Sequence, residues 1–374
     1  MKYYIGIDLG GTNIAVALLN ENYEFISKYS TPTLAARGFE AIVEDMARAC
    51  GAAAEQAGLT LEDIEHIGIG VPSTLNPKNR HVVFANNLGW VDKDVLAEFA
   101  KHCSVTAYIA NDADCAAYGE ALAGAAKDYN NVMMITLGTG VGGGIIMNKK
   151  IFLGGNGHGS EPGHTTIIMD GEQCTCGLRG CLEAYASVTA LIRDTIRAME
   201  ADPDSLMWQS CGGDTAKVDG RTSFEAAKLG DASAKRVVEN YIHYLATGIS
   251  SFVTLLRPEV IILGGGVCNQ GEYLLAPLRA EVAKTAYAPG LMPETPIIRA
   301  TLGNDAGIVG AASLASSMSE KGGRSMVRFG IIGTNFITER MLAAPSSALS
   351  SRSTRCTPAV PKRRAPSRKS GARR

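Results

Sequence analysis

Two places in this chain of 374 residues spell strand, glycine turn, strand. Tyr3–Leu9 runs apolar and alternating, breaks at Gly10-Gly11-Thr12 and resumes as the strand Ile14–Leu19. Asn131–Leu137 is a second strand, Gly138–Gly144 a second glycine turn and Ile145–Met147 its return strand. Each unit heads a stretch that alternates helices and strands. After the first, Phe39–Ala57 carries Ile42, Val43, Met46, Ala47 and Cys50 at helical spacing. His66–Val71 and Val105–Ala110 read as buried strands, and Asp92–His102 as an amphipathic helix. After the second come the long helix Lys235–Leu256, the strand Glu259–Leu263 and a third glycine turn, Gly264-Gly265-Gly266. A chain built this way is constrained to two α/β halves related by internal duplication. The expected boundaries are residues 1–115 with 301–319 for one half and 116–300 for the other, and the cleft between such halves is a natural ligand site.

The glycine turns suggest what the ligand is. Asp8-Leu9-Gly10-Gly11-Thr12-Asn13 and Leu137-Gly138-Thr139-Gly140 let backbone approach an anion closely and point N–H groups at it, while Thr12 and Thr139 add hydroxyl donors. Asp8 is a carboxylate suited to hold Mg²⁺ through water. A plain hairpin turn is the alternative for either loop alone; two matching loops weaken it. Neither loop ends in Gly-Lys-Ser/Thr, so neither is a Walker A loop. Neither opens a βαβ unit as a dinucleotide fingerprint does.

His164 is followed by Cys174-Thr175-Cys176-Gly177-Leu178-Arg179-Gly180-Cys181. One imidazole and three thiolates complete a tetrahedral zinc set with no open position, so the metal is expected to be structural. Glu161 lies three residues before the histidine and Glu183 two after the last cysteine of the set. Asn111-Asp112 follows the strand Val105–Ala110 and opens a helix, where Asp112 reads equally as an ordinary N-cap. Carboxylates and amides gathered in one cleft suit a polyhydroxylated ligand.

Charge narrows the class. Residues 1–320 hold 23 Lys and Arg against 36 Asp and Glu. An acidic body of this kind argues against nucleic acid as a partner. No apolar run is long enough to span a membrane. The opening MKYYIGIDLGG reads as a buried strand rather than a secretory signal. The nine cysteines, an odd number, do not suggest a disulfide framework, and the expected location is the cytoplasm.

Together, Asp8-Leu9-Gly10-Gly11-Thr12, Asn111-Asp112, Gly138-Thr139-Gly140-Val141-Gly142-Gly143-Gly144, Glu161-Pro162-Gly163-His164 and the CxCGxxGCxE box from Cys174 to Glu183 resemble the ROK family of bacterial sugar kinases. The resemblance runs over residues 3–318 and implies the duplicated two-domain actin-like ATPase (ribonuclease H-like) α/β fold. It implies roles as well. Asp112 would be the general base for a sugar hydroxyl. Asn111, Asp112, Glu161, His164 and Glu183 would hold the sugar. Gly10, Gly11, Thr12, Gly138, Thr139 and Gly140 would hold ATP phosphates, Gly265 and Gly266 would flank the adenosine, and Asp8 would sit near Mg²⁺. His164, Cys174, Cys176 and Cys181 would bind zinc, and a homodimer is what the family suggests.

Two departures from the family's usual pattern stand near the expected sugar site. Ser73 in Gly-Val-Pro-Ser takes the place of the family's second glycine, and Pro162 that of its usual aliphatic residue between Glu161 and Gly163. Asn86-Asn87-Leu88-Gly89-Trp90 resembles the glucokinase-like branch, so phosphorylation of the 6-hydroxyl of glucose is the expected reaction. An N-acyl hexosamine or allose is the alternative substrate. A sugar-sensing protein without turnover ranks lower, and the family's repressors carry an N-terminal helix-turn-helix for which a phosphate loop beginning at residue 6 leaves no room.

Residues 321–374 differ in kind, with thirteen Lys and Arg against one acid, Glu339. Residues 326–344, beginning Met326-Val327-Arg328-Phe329-Gly330-Ile331-Ile332-Gly333, resemble the first strand and turn of a Gfo/Idh/MocA oxidoreductase. A lone strand and turn cannot make a dinucleotide site. Residues 320–374 are expected to be an extraneous, disordered basic tail left by a lost stop codon and a frameshift; a basic arm for nucleic acid or anionic lipid is the rival reading.

Overall fold

The computed structural model describes residues 1–318, so the expectations for residues 320–374 lie outside the described residues. Among the described residues thirteen strands are formed: β1 (Tyr3–Leu9), β2 (Asn13–Asn20), β3 (Phe25–Pro32), β4 (Ile64–Val71), β5 (Thr74–Leu75), β6 (Val82–Ala85), β7 (Trp90–Lys93), β8 (Ala107–Asn111), β9 (Val132–Leu137), β10 (Val141–Met147), β11 (Lys150–Ile151), β12 (Val260–Gly264) and β13 (Ile297–Arg299). They make two five-stranded sheets, ordered β3-β2-β1-β4-β8 and β11-β10-β9-β12-β13, with β5-β6-β7 as a small antiparallel sheet. The two large sheets correspond strand for strand. In each, a central strand is antiparallel to its hairpin partner and parallel to the strand on its other side. That is the duplication read from the two glycine units.

Each sheet has its own apolar cover. Ile5, Ile67 and Ile69 of the first pack with Ile42 and Met46 of the helix Phe39–Gln56. Ile135 and Leu263 of the second pack with Leu245 and Ile249 of the helix Ala232–Leu256 and with Leu278 of the helix Glu272–Thr285.

Between the sheets lie two short helices, Asp112–Leu122 and Ala306–Ala312, and small residues let everything there approach closely. A Cβ on Gly6 of β1 would sit 2.0 Å from the Ile308 carbonyl oxygen, and one on Gly68 of β4 1.7 Å from that of Ala311. Where the helices cross, a Cβ on Gly310 would sit 1.7 Å from the Cys115 carbonyl oxygen. On the second sheet, a Cβ on Gly144 of β10 would lie 2.5 Å from Ala117. Any side chain at these positions forces backbone apart.

Two local expectations are corrected. The second glycine turn is shorter than its glycines: Gly142, Gly143 and Gly144 belong to β10 and serve packing, so only Gly138-Thr139-Gly140 turns. The expected helix Asp92–His102 is instead the end of β7 followed by a short helix, Val95–Phe99, capped by the Asp94 carboxylate, which accepts the Ala97 amide at 3.0 Å. A competent cap inside the amphipathic stretch decides where that helix begins. Among the described residues no helix is long and apolar enough to cross a membrane.

Candidate active site

The site is assembled at the carboxyl ends of strands, where α/β sheets place their ligands. β1 carries Asp8 near its end, β8 runs into Asp112, β9 into Gly138, β12 into Gly265 and Gly266, and β13 ends at Arg299. A cleft of about 750 Å³ opens there. It is lined by Asp112, Glu161, His164 and Glu183 together with Gly138, Gly140, Gly265 and Gly266.

Asn111 caps the helix Asp112–Leu122: its Oδ1 accepts the amides of Ala113 at 2.8 Å and Asp114 at 3.3 Å. Its Nδ2 donates to the Ser73 carbonyl at 3.1 Å. The reading of Asp112 as the cap therefore falls. Asp112 accepts the Ala113 amide at 2.9 Å through Oδ1, and its carboxylate faces the cleft. Asn111 lines a smaller chamber beside the cleft rather than the cleft itself.

The four residues of the expected zinc set do come together. The Nδ1 of His164 lies 3.7 Å from the Cys174 sulfur, and the sulfurs of Cys176 and Cys181 are 3.7 Å apart. All four donor atoms fall within 4.8 Å of one another. Gly177 and Gly180 turn the loop with φ of 91° and 80°, in the left-handed region. Burial and the neighbouring thiols push the Cys181 thiol up to about 12, the situation a bound cation reverses.

Glu183, first residue of a one-turn helix, joins this knuckle to the second glycine loop. Its Oε2 accepts the Val141 amide at 3.0 Å, and its Oε1 accepts the Thr175 hydroxyl at 2.8 Å. Pro162 sits at the start of the 3₁₀ turn Pro162–His164, where its missing N–H costs nothing, and a Cβ on Gly143 would lie 2.6 Å from its ring.

The carboxylates load one another. Burial first, then the Asp112 charge, push Asp8 up to about 6. Burial raises Asp112 against the amide it accepts. Burial also raises Glu161, with His164 pulling the other way. A site in which several acids are held above their usual range favours a cation and hydroxyl donors.

Asp8, Gly10, Gly11, Thr12 and Thr139 do not line the cleft wall itself. Gly11 is exposed and lies against Asn87, which does: a Cβ there would sit 3.4 Å from the Asn87 Cβ. The sequence reading missed Thr136, Asn269, Arg299 and Asn304 on the cleft wall. Arg299 at the end of β13 and Asn269 just past the third glycine turn were findable from the rule that ligands gather at strand ends.

The ROK family profile matches residues 4–318. The glucokinase of Halalkalibacterium halodurans is 35% identical over 329 residues, covering 86% of this chain and 98% of its own. The glucokinase of Thermotoga maritima is 32% identical over 311 residues, covering 83% of this chain and 96% of its own. Among solved structures, a ROK family glucokinase from Streptomyces griseus in complex with glucose and AMPPNP is 33% identical, with a TM-score of 0.71 over 84% of this chain and 99% of that one. These likenesses uphold the expected actin-like ATPase fold. Matched over nearly all its described residues and more than 30% identical to two full-length relatives, the chain belongs to the ROK family.

Proposed function

We propose that this protein is an ATP-dependent glucose kinase, moving the γ-phosphate of ATP to the 6-hydroxyl of the sugar. The observation that carries the reading is the cleft in which Asp112, Glu161, His164 and Glu183 meet the second and third glycine turns. The relatives at 32% and 35% identity are glucokinases, which favours glucose over an N-acyl hexosamine or allose.

The geometry supports a division of labour. Capping by Asn111 leaves Asp112 free to accept the hydroxyl proton while the oxygen attacks phosphorus. Phosphoryl transfer is loose and in line, so the task is positioning more than strong-base chemistry. Glu161, His164 and Glu183 would read the other sugar hydroxyls, with Asn111 acting through its cap and its hold on Ser73. Gly10, Gly11, Thr12, Gly138, Thr139 and Gly140 would offer backbone and hydroxyl donors to the phosphates, and Gly265 and Gly266 would flank the adenosine. Asp8 fits Mg²⁺, since a cation relieves a carboxylate held up to about 6 beside Asp112; the ion would neutralise developing phosphate charge. The four clustered donors fit zinc, which would fix the loop that carries His164. The two matching sheets support the division into halves 1–115 with 301–319 and 116–300. Dependence on ATP supports the cytoplasm, and a homodimer belongs to the same reading.

The test is ADP release on a panel of glucose, mannose, allose, fructose, N-acetylglucosamine and N-acetylmannosamine. Glucose should give the highest kcat/KM. Preference for an N-acyl sugar would move the substrate, and no turnover on any sugar by folded, zinc-loaded protein would overturn the kinase reading in favour of a sugar sensor.

A further inference from the structure

Beside the cleft, sharing Glu161 with it, lies a chamber of about 40 Å³. Asp114, Arg80, Asn111 and Ser73 also line it. A space this size takes one water-sized group. Asp114 is 7% exposed, and its Oδ1 has no hydrogen-bond partner among the described residues. The Arg80 Nε on the same wall is also buried without one. Ser160, between the chamber residues Gly159 and Glu161, adds a third such atom and has a φ of 74°. Buried polar atoms left unpaired are costly, and the two from residues on the chamber wall, Asp114 and Arg80, mark a place where a polar group is received.

Arg80 is set there deliberately. It stands in the left-handed region at φ 63°, its amide donates to the Asn76 carbonyl at 2.8 Å, and its guanidinium reaches in to donate to the Ile109 carbonyl at 2.5 Å. It forms no ion pair with Asp114 within 4 Å. The Glu161 carboxylate is not used to cap its own turn.

We propose that Asp114 is a positioning residue for the sugar site: its carboxyl group and the Arg80 guanidinium, joined through one hydroxyl-sized group in the chamber, hold Glu161 in place for a sugar hydroxyl. The inference rests on the sugar-kinase reading. Burial, then the Glu161 charge, push Asp114 to about 8, so near neutral pH it is a neutral donor beside the Glu161 anion. Above that, two like charges would face each other across the chamber. The groups around Asp114 are Glu161 and His158 on one loop, Arg80 on the hairpin, and Asp112 and Cys115 on its own helix. Burial keeps Cys115 a thiol throughout.

The experiment measures glucose affinity by calorimetry from pH 6 to 9 on the full zinc-loaded chain, with AMPPNP affinity as the control. Asp114→Asn copies the neutral carboxyl. It should bind glucose like the wild type at pH 7 and stay flat where the wild type weakens above pH 8. Asp114→Ala and Arg80→Met should weaken glucose about tenfold and leave AMPPNP within twofold. The inference is overturned if Asp114→Asn follows the wild-type pH curve, if glucose and AMPPNP weaken together, or if no variant changes glucose binding. It is also overturned if the wild type binds no glucose. Failure of the kinase reading shows separately, as absence of ADP release by a wild type that still binds glucose.

Discussion

One oxygen of Glu183 accepts the Val141 amide at 3.0 Å, which couples the carboxylate behind the cysteine knuckle to the second glycine loop. The other oxygen accepts the Thr175 hydroxyl inside the knuckle at 2.8 Å. A single side chain therefore ties the cysteine loop to the start of β10, just after Gly138-Thr139-Gly140, and a change at either end is felt at the other.

Gly140→Ala tests the coupling. A Cβ at Gly140 would lie 2.4 Å from the Glu183 Oε2, so the carboxylate must move or the loop must open. KM for ATP and KM for glucose should both rise, by about tenfold, because misplacing positioning groups by around an ångström costs rate and binding together. The melting temperature should change little, since the turn is exposed at Gly138 and Thr139 and only half-buried at Gly140. Steady-state kinetics with each substrate varied in turn check this. A rise in the KM for ATP alone would mean that Glu183 does not join the two.

Removing zinc should act on sugar before ATP. His164 is both a donor of the metal cluster and a cleft residue, whereas no cysteine of the cluster lines the cleft. Treatment with a chelator, or Cys176→Ser, should lower the melting temperature and weaken glucose binding at least tenfold, with zinc restoring the treated wild type. Thermal melts and glucose titrations before and after zinc addition read both effects. Unchanged glucose affinity after verified zinc loss would detach the metal from the sugar site.

Asp112→Asn should lower kcat by about 10² to 10⁴, the usual range for a positioned general base, and change glucose affinity only a few-fold. The cap supplied by Asn111 is untouched by the substitution, so the helix should hold and stability should not fall. Single-turnover rates with glucose and ATP check it. Turnover within tenfold of the wild type would remove Asp112 from the role of base.

Much of this was legible in the chain because the informative signals were local. The duplicated strand, turn and strand units predicted two sheets, and the sheets came out in matching order. The His164 and cysteine spacing predicted a cluster, and the donors fall within 4.8 Å. What was not legible depends on tertiary approach. Gly142, Gly143 and Gly144 look like more phosphate loop until helix Asp112–Leu122 and Pro162 are seen pressed against them. Asn111 and Asp112 are equally good caps by residue type, and only the extended backbone at Asn111 decides between them. Asn304 reaches the cleft from far along the chain with no motif around it.

Asp8 gives the pH prediction. Its folded pKa is pushed up to about 6, above the ordinary carboxylate range of an unfolded chain. Between about pH 4 and pH 6 the folded protein therefore holds a proton that the unfolded chain has released, and stability falls as pH rises through that window. The cause is burial first and the facing Asp112 second, so the cost lies in the metal-free site. Asp8→Asn removes it. The variant should match the wild type near pH 4 and exceed it at pH 7 by at most about 3 kcal/mol, from two pKa units at 1.36 kcal/mol each. Urea melts without divalent ions from pH 4 to 7 would check it, and parallel curves for the two proteins would rule it out. The same variant should lose most of its turnover with Mg²⁺ and ATP, because the carboxylate that burial and Asp112 destabilise is the one that fits the ion.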